Sequence, residues 1–315
     1  MKSSTPAQTA LKKLLLRELG VLEEKENNIN GENKTESLHK LRIAVRKTRA
    51  LLRQADTVFP ERTISRFDRE FKYLAQKTCR SRDLDVFLKK LEKISLPMHA
   101  IPLDLYNKIC RYILDSQNKE QDELLQYLHS ARYFKLKNDW AKILNKTATN
   151  PGSSNSADLT IDYLLQNGIS VLYQKLIKQG NKIDINTPYQ DYHDLRKTCK
   201  KLRYLLEYFH ELHPKKKTGS LIKSLKHTQD VLGDLQDKRA QIEMLNDFKK
   251  NRTQHGLSDE HVHLVELIIK QLDEQSMEIK SGYPEVYNEL LSKLSNKSCE
   301  NIFRNENIIE CTPVN

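Results

Sequence analysis

Glycine and proline are scarce in this chain, nine of each in 315 residues, and aromatics make up only 7%. That scarcity excludes collagen-like and low-complexity chains and speaks against sandwiches, whose many turns consume both residues. No apolar run approaches the ~18 residues of a membrane helix, which argues against a membrane partner. The N-terminus, MKSSTPAQTALKKLLL, lacks a signal-peptide core. The five cysteines (Cys79, Cys110, Cys199, Cys299 and Cys311) are odd in number and form no CxxC. A disulfide framework or zinc ribbon is therefore not expected, and a reducing, cytoplasmic setting is. Missing too are a Gly-rich phosphate loop, GxSxG and GK[ST], so nothing points to a common catalytic scaffold.

What is abundant is charge. Lys and Arg number 53 against 42 Asp and Glu, a formal net charge of +11. The excess is concentrated. Residues 36–93 hold 16 basic and 8 acidic side chains, residues 191–252 hold 15 and 9, and the rest is close to neutral.

These two segments align at an offset of 154 residues. HKLRIAVRKTRALLR (39–53) lies over HDLRKTCKKLRYLLE (193–207), with seven identities, and the same register pairs Pro60 with Pro214, Lys72 with Lys226 and Asp83 with Asp237. An internal duplication is the natural reading, with a period too long for a solenoid. NPGSSNSAD at 150–158 is the clearest loop signal, so one half is expected over 1–150 and a second over 157–297, with a loosely ordered tail at 298–315. Each half reads as about four helices. In the first these lie near 6–28, 36–60, 61–94 and 104–147. In the second, helices are expected from Thr187 to Pro214, over 218–251 and over 259–295. Thr5-Pro6-Ala7-Gln8 and Thr187-Pro188-Tyr189-Gln190 look like N-caps with proline at the first helical position. Gly180 and Gly256 sit where C-caps are wanted. The expected fold is all-α: two pseudo-symmetric four-helix bundles with a basic groove between or along them.

Leu38, Leu41, Val45, Thr48 and Leu52 follow the 3-4 spacing of a core seam, as do Tyr192, Leu195, Cys199, Leu202 and Leu206. One residue along, about 100° around each helix, run two basic seams. The first is His39, Arg42, Arg46, Arg49 and Arg53; the second is His193, Arg196, Lys200 and Arg203. Neither contains an acid, and like charges at i,i+3 and i,i+4 each cost a helix ~0.2–0.5 kcal/mol. Arginine favours forked hydrogen bonds to phosphate oxygens. Stripes of this kind call for a polyanion.

The same residues resemble the CHAD domain, the histidine-containing α-helical domain that binds inorganic polyphosphate. The resemblance rests on H-x-L-R-x-x-x-R/K-K-x-R in both halves and on R-Y-x-L-E at Arg203–Glu207. S-R-D-L-D-V at 81–86 and L-G-D-L-Q-D at 232–237 support it. It implies two helical bundles around a basic groove or pore for linear polyphosphate, without catalysis, cofactor or metal. It covers about residues 5–295 and leaves no room for the CYTH domain often joined to this family. Carried onto this chain, it assigns polyphosphate contacts to Arg42, Arg46, Arg49, Arg196, Lys200 and Arg203, with His39 and His193 at the family's histidine positions. Arg53 continues the first stripe, and Arg69, Lys72, Lys223 and Lys226 would form the opposite wall. Cys79 stands where the second half has Gly233, and Glu207 replaces Arg53, so the two halves are not expected to grip an anion equally. Asp83 and Asp237 are read as structural. Association with polyphosphate granules would be a consequence of such binding.

Two other readings start from the same charge. A basic groove attracts nucleic acid nonspecifically, but the stripes have no interleaved aromatics for base stacking and no helix-turn-helix or zinc finger is apparent. Basic stripes also suit a helical adaptor for acidic proteins. Metal catalysis is disfavoured: His210-Glu211-Leu212-His213 spaces its histidines three apart where HExxH needs four, and Pro214 follows at once. The oligomeric state is not encoded in any of these features.

Overall fold

A computed structural model of the protein describes residues 2–29, 31, 34–56, 58–78, 84, 87–88, 101–146, 159–214 and 218–295. Among these residues the chain forms nine α-helices and no strand. They are α1 Ala7–Glu26, α2 Lys34–Leu52, α3 Glu61–Lys77, α4 Leu103–Leu128, α5 Ala131–Asn145, α6 Ile161–Gly180, α7 Tyr189–Leu212, α8 Gly219–Lys250 and α9 Asp259–Leu294. No helix among them is long and apolar enough to cross a membrane. The expected boundary at 150–157 and the tail at 298–315 lie outside the described residues, as do Cys79 and Asp83.

Proline starts four helices, but from the N-cap rather than the first helical position: Pro6, Pro60, Pro102 and Pro188 cap α1, α3, α4 and α7. The two threonines expected as caps bond elsewhere. Thr5 Oγ1 donates backward to Lys2 O at 2.7 Å, and Thr187 Oγ1 accepts from Asp184 N at 2.8 Å. A proline N-cap offers no side-chain oxygen, and its fixed φ already sets the entry angle. Elsewhere side-chain caps form as the chemistry demands. Thr160 accepts from Tyr163 N and opens α6, while Ser258 and His261 cap one another at the start of α9. The final segment of the first half divides at His129–Ser130, where Ser130 accepts from Tyr133 N and begins α5. Its counterpart α9 runs unbroken for 36 residues. Gly256, at φ +58°, turns the chain between α8 and α9.

The 154-residue offset recurs in three dimensions. α1 and α6 each span 20 residues and start that far apart. Their entry segments pair with each other: Ala7 N donates to Leu159 O at 2.7 Å and Ile161 N to Thr5 O at 3.0 Å. Both bonds map onto each other under the offset, so a local two-fold passes between Pro6 and Thr160. Around it α1 packs on α6 and α2 on α7.

Both core seams fall where the periodicity places them. Leu41, Val45 and Leu52 are fully buried, as are Leu195, Cys199, Leu202 and Leu206. The core is not divided by halves, however. One large cluster draws on α1–α3 and on α6–α8 alike, with Trp140 packed among Phe59, Phe67 and Phe71. A smaller cluster joins Leu105, Ile109 and Ile113 of α4 to Ile242, Phe248, Val265 and Ile268 of α8 and α9. The halves are thus held together at two places, across the two-fold and at their outer ends. Lys108 donating to Gly256 O and His261 facing Asp104 at 3.0 Å add polar contacts at the outer junction.

Candidate functional site

The basic seams on α2 and α7 lie along helix–helix junctions, because they border the apolar seams that pull those junctions together. Neighbouring helices supply most of the partners that the stripes lack within themselves, and Glu207, one turn along α7, supplies one for Arg203. Arg42, only 9% exposed, donates to the Thr78 carbonyl at the end of α3, at 2.6 Å. Arg49 forks onto Asp68 of α3 at 3.0 and 3.4 Å. In the second half Arg196 donates to Gln229 O at 3.2 Å and to Gln236 Oε1 at 3.0 Å. Arg203 donates to Gln229 Oε1 at 3.1 Å and to Glu207 at 2.9 Å. The forked geometry that suits phosphate also suits a helix carbonyl beside a carboxamide, and four stripe arginines stitch α2 to α3 and α7 to α8.

Close approach makes this possible in the second half. A Cβ on Gly233 would stand 2.8 Å from Arg196 Nη2, so the guanidinium lies directly over the glycine. Gln229 is 4% exposed and receives Arg196 and Arg203 through its two oxygens, which leaves its Nε2 buried without a partner. An orphaned donor beside two arginines has the polarity that an oxyanion needs.

Other cations stand on the rims of these junctions. Arg49 opposite Asp68 and Arg42 opposite Thr78 fix an antiparallel register between α2 and α3. That register sets Arg46 level with Lys72. Neither has a partner among the described residues, nor does the exposed Arg69. Lys223 and Lys226 of α8 are exposed and likewise unpartnered within that set, and Lys226 precedes Gln229 by one turn. Lys200 and His39 are half-buried and engaged. His193 is half-buried and bonded to Gln236. Burial, aided by Lys197, holds its imidazole below the usual range and favours the neutral ring.

Arg53 belongs to a different place. It lies past the end of α2 with Asp68 at 3.9 Å, and burial together with Arg49 lowers its pKa against the pull of Asp68. Beyond it is Lys201 of α7, whose ammonium burial pushes down to about 8. Arg53, Lys175, Lys197 and Arg49 add like-charge pressure. Lys201, Lys197 and Lys175 were not among the residues the sequence marked as contacts. The signal was available in part, since Lys201 is the identical counterpart of Lys47, but the stripe periodicity puts it on another face.

Among the described residues no group of three or more His, Cys, Asp or Glu could hold a metal. The HELH segment is engaged elsewhere, His210 with Thr218 Oγ1 and His213 with Asp162.

This arrangement has known counterparts. The CHAD domain profile matches residues 7–246. The chain belongs to the CHAD domain family. That family is associated with polyphosphate binding. The fold is similar to the crystal structure of the CHAD domain from the plant Ricinus communis, with a TM-score of 0.74 and 20% identity over 93% of this chain and 94% of that one. It is also similar to PptA from Streptomyces chartreusis, with a TM-score of 0.68 and 10% identity over 91% of this chain and all of the other. No curated protein matches the sequence.

Proposed function

We propose that this CHAD protein is a non-catalytic binder of inorganic polyphosphate, and that granule association in the cytoplasm follows from that binding. The observation behind the reading is the set of rim cations with no partner among the described residues. Arg46, Arg69 and Lys72 stand along α2 and α3, and Lys223 and Lys226 along α8. They flank arginines already locked in place by Thr78, Asp68, Gln229 and Gln236. Fixed donors with these rim cations beside them suit a repeating, closely spaced anion. Each phosphate gains charge-assisted hydrogen bonds, and bound counterions are released. Of the residues assigned from the sequence, the rim cations would contact the anion directly. Arg42, Arg49, Arg196 and Arg203 would position the surface, with His39, His193 and Lys200 beside them.

The test is titration with long polyphosphate, tripolyphosphate, orthophosphate and duplex DNA at two salt concentrations. Affinity should increase with polyphosphate length and fall steeply with salt. Equal or tighter binding of DNA would overturn the assignment. Because Arg42 and Arg196 hold helices together, Lys72→Glu with Lys226→Glu is the cleaner charge reversal. That pair should weaken polyphosphate binding at least 10-fold in a folded protein. Chain shortening that depends on a metal would overturn the non-catalytic reading.

A further inference from the structure

The local two-fold sets the same contact on both sides of the seam between α2 and α7, but with different charges. On one side Lys47 of α2 meets Glu207 of α7 at 3.2 Å, and Glu207 also takes Arg203. On the other side the counterpart of Lys47 is Lys201, and the counterpart of Glu207 is Arg53. The substitutions continue outward. Lys175 and Lys197 occupy the places of Val21 and Ile43.

Packing brings these residues together. A Cβ on Gly168 of α6 would meet Gln54 Oε1 at 2.1 Å and Leu205 Cδ1 of α7 at 3.0 Å, so the chain just past Arg53 sits in the crease between α6 and α7. Lys175 lies two turns beyond Gly168 on the same face of α6. Lys201 lies one turn before Leu205 on the same face of α7, and in these antiparallel helices the two displacements run the same way. The charges of Arg49 and Lys197 also bear on Lys201, so five cations gather at one crease. Two carboxylates offset them at its edges, Asp68 at 3.0 Å from Arg49 and 3.9 Å from Arg53, and Asp194 at 2.5 Å from Lys197. Lys201 and Lys175 have no carboxylate partner among the described residues.

We propose that this crease is a one-sided oxyanion subsite in which Lys201 and Arg53, flanked by Arg49, Lys175 and Lys197, hold one phosphate group of a polyphosphate chain, and that Glu207 closes the equivalent place across the two-fold. The inference rests on the proposed polyphosphate binding and adds an asymmetry to it. An anion chain would enter from one side of a nearly symmetric molecule. The lowered pKa of Lys201 has a second consequence. A bound phosphate restores the ammonium, so binding near pH 8, where the free group is about half protonated, takes up about half a proton.

The experiment compares wild type, Lys201→Met and the mirror control Lys47→Met by calorimetric titration with long-chain polyphosphate at pH 8, in two buffers of different ionisation enthalpy. Lys201→Met should weaken binding by about 10-fold or more, the size of one lost charge-assisted contact, and Lys47→Met by less than about 3-fold. Wild type and Lys47→Met should take up about half a proton, whereas Lys201→Met should take up none. The ligand-free melting temperature of Lys201→Met should equal or exceed that of wild type, since only like-charge pressure is removed. Should that variant fail to fold, Arg53→Gln and Lys175→Gln supply the affinity comparison with Lys47→Met, each being expected to weaken binding more than the mirror control does. Equal losses in the two lysine variants, or no proton uptake by wild type, would overturn the one-sided subsite while leaving polyphosphate binding intact. Wild type that binds no polyphosphate would overturn both. Tighter, Lys201-dependent binding of single-stranded DNA would reassign the crease to nucleic acid.

Discussion

Lys47 and Glu207 form an ion pair across the two halves of the chain, at 3.2 Å, with both side chains about four-fifths buried. Glu207 holds Arg203 at the same time. Replacing it by Gln leaves two cations facing a neutral amide. Glu207→Gln should therefore destabilise the protein by about 1–3 kcal/mol, the cost of unpairing charge-assisted bonds, as measured by urea denaturation. The same variant should bind polyphosphate more tightly, because Lys47 and Arg203 would no longer be neutralised from within.

Arg42 and Arg46 sit one turn apart on the same basic seam and should behave oppositely. Arg42 is buried and bonded to the Thr78 carbonyl, so Arg42→Met should cost about 2–4 kcal/mol, leaving a buried acceptor without its charged donor. Arg46→Met removes a cation with no partner among the described residues. Its stability should stay within about 0.5 kcal/mol of wild type, while polyphosphate affinity drops about 3- to 10-fold. Thermal melts and titration of the two variants separate the roles.

Arg42 and Arg46 also mark what the sequence could and could not convey. Helical periodicity determines which residues share a face, so both apolar seams and both basic seams are legible at residue level. It does not determine what a face meets. Asp68 lies 19 residues beyond Arg49 and Gln229 lies 33 beyond Arg196, each on another helix. Such partners emerge only when helices pack. A stripe that looks bare of acids along its own helix is, in the fold, half satisfied by its neighbours. The Lys201 crease was hidden for the same reason: its cations come from α2, α6 and α7 and share no periodic pattern. The swap of Arg53 for Glu207 was visible as a departure, and the two-fold supplies its meaning by setting the two residues opposite equivalent lysines, Lys201 and Lys47.

Gly233 and Arg196 give a test of close packing. Alanine at 233 gains up to about 1 kcal/mol in helix propensity but displaces the guanidinium from Gln229 and Gln236, where charged hydrogen bonds contribute about 1.5–3 kcal/mol each. Gly233→Ala alone should be destabilising by about 2–5 kcal/mol. In an Arg196→Met background, where no guanidinium covers position 233, the same change should be neutral or stabilising. A double-mutant cycle read from denaturation midpoints gives the coupling directly.

Lys201 should leave a mark on the pH dependence of stability. Its pKa is lowered from 10.5 to about 8, burial first and the surrounding cations second. For a base depressed in the folded state, the unfolded chain binds the extra proton between those two values. The destabilisation is complete below pH 8, shrinks as pH rises from 8 towards 10.5 and is gone above that. Other lysines titrate in the same window, so the difference between wild type and Lys201→Met is the quantity to measure. At pH 7 the variant should be the more stable of the two, and by pH 10 its advantage should have largely disappeared. Saturating polyphosphate should remove the advantage at pH 7 as well, since a bound anion stabilises the charged ammonium in wild type alone. An advantage that stays constant from pH 7 to 10 would mean that Lys201 affects stability through packing, with its charge playing no part.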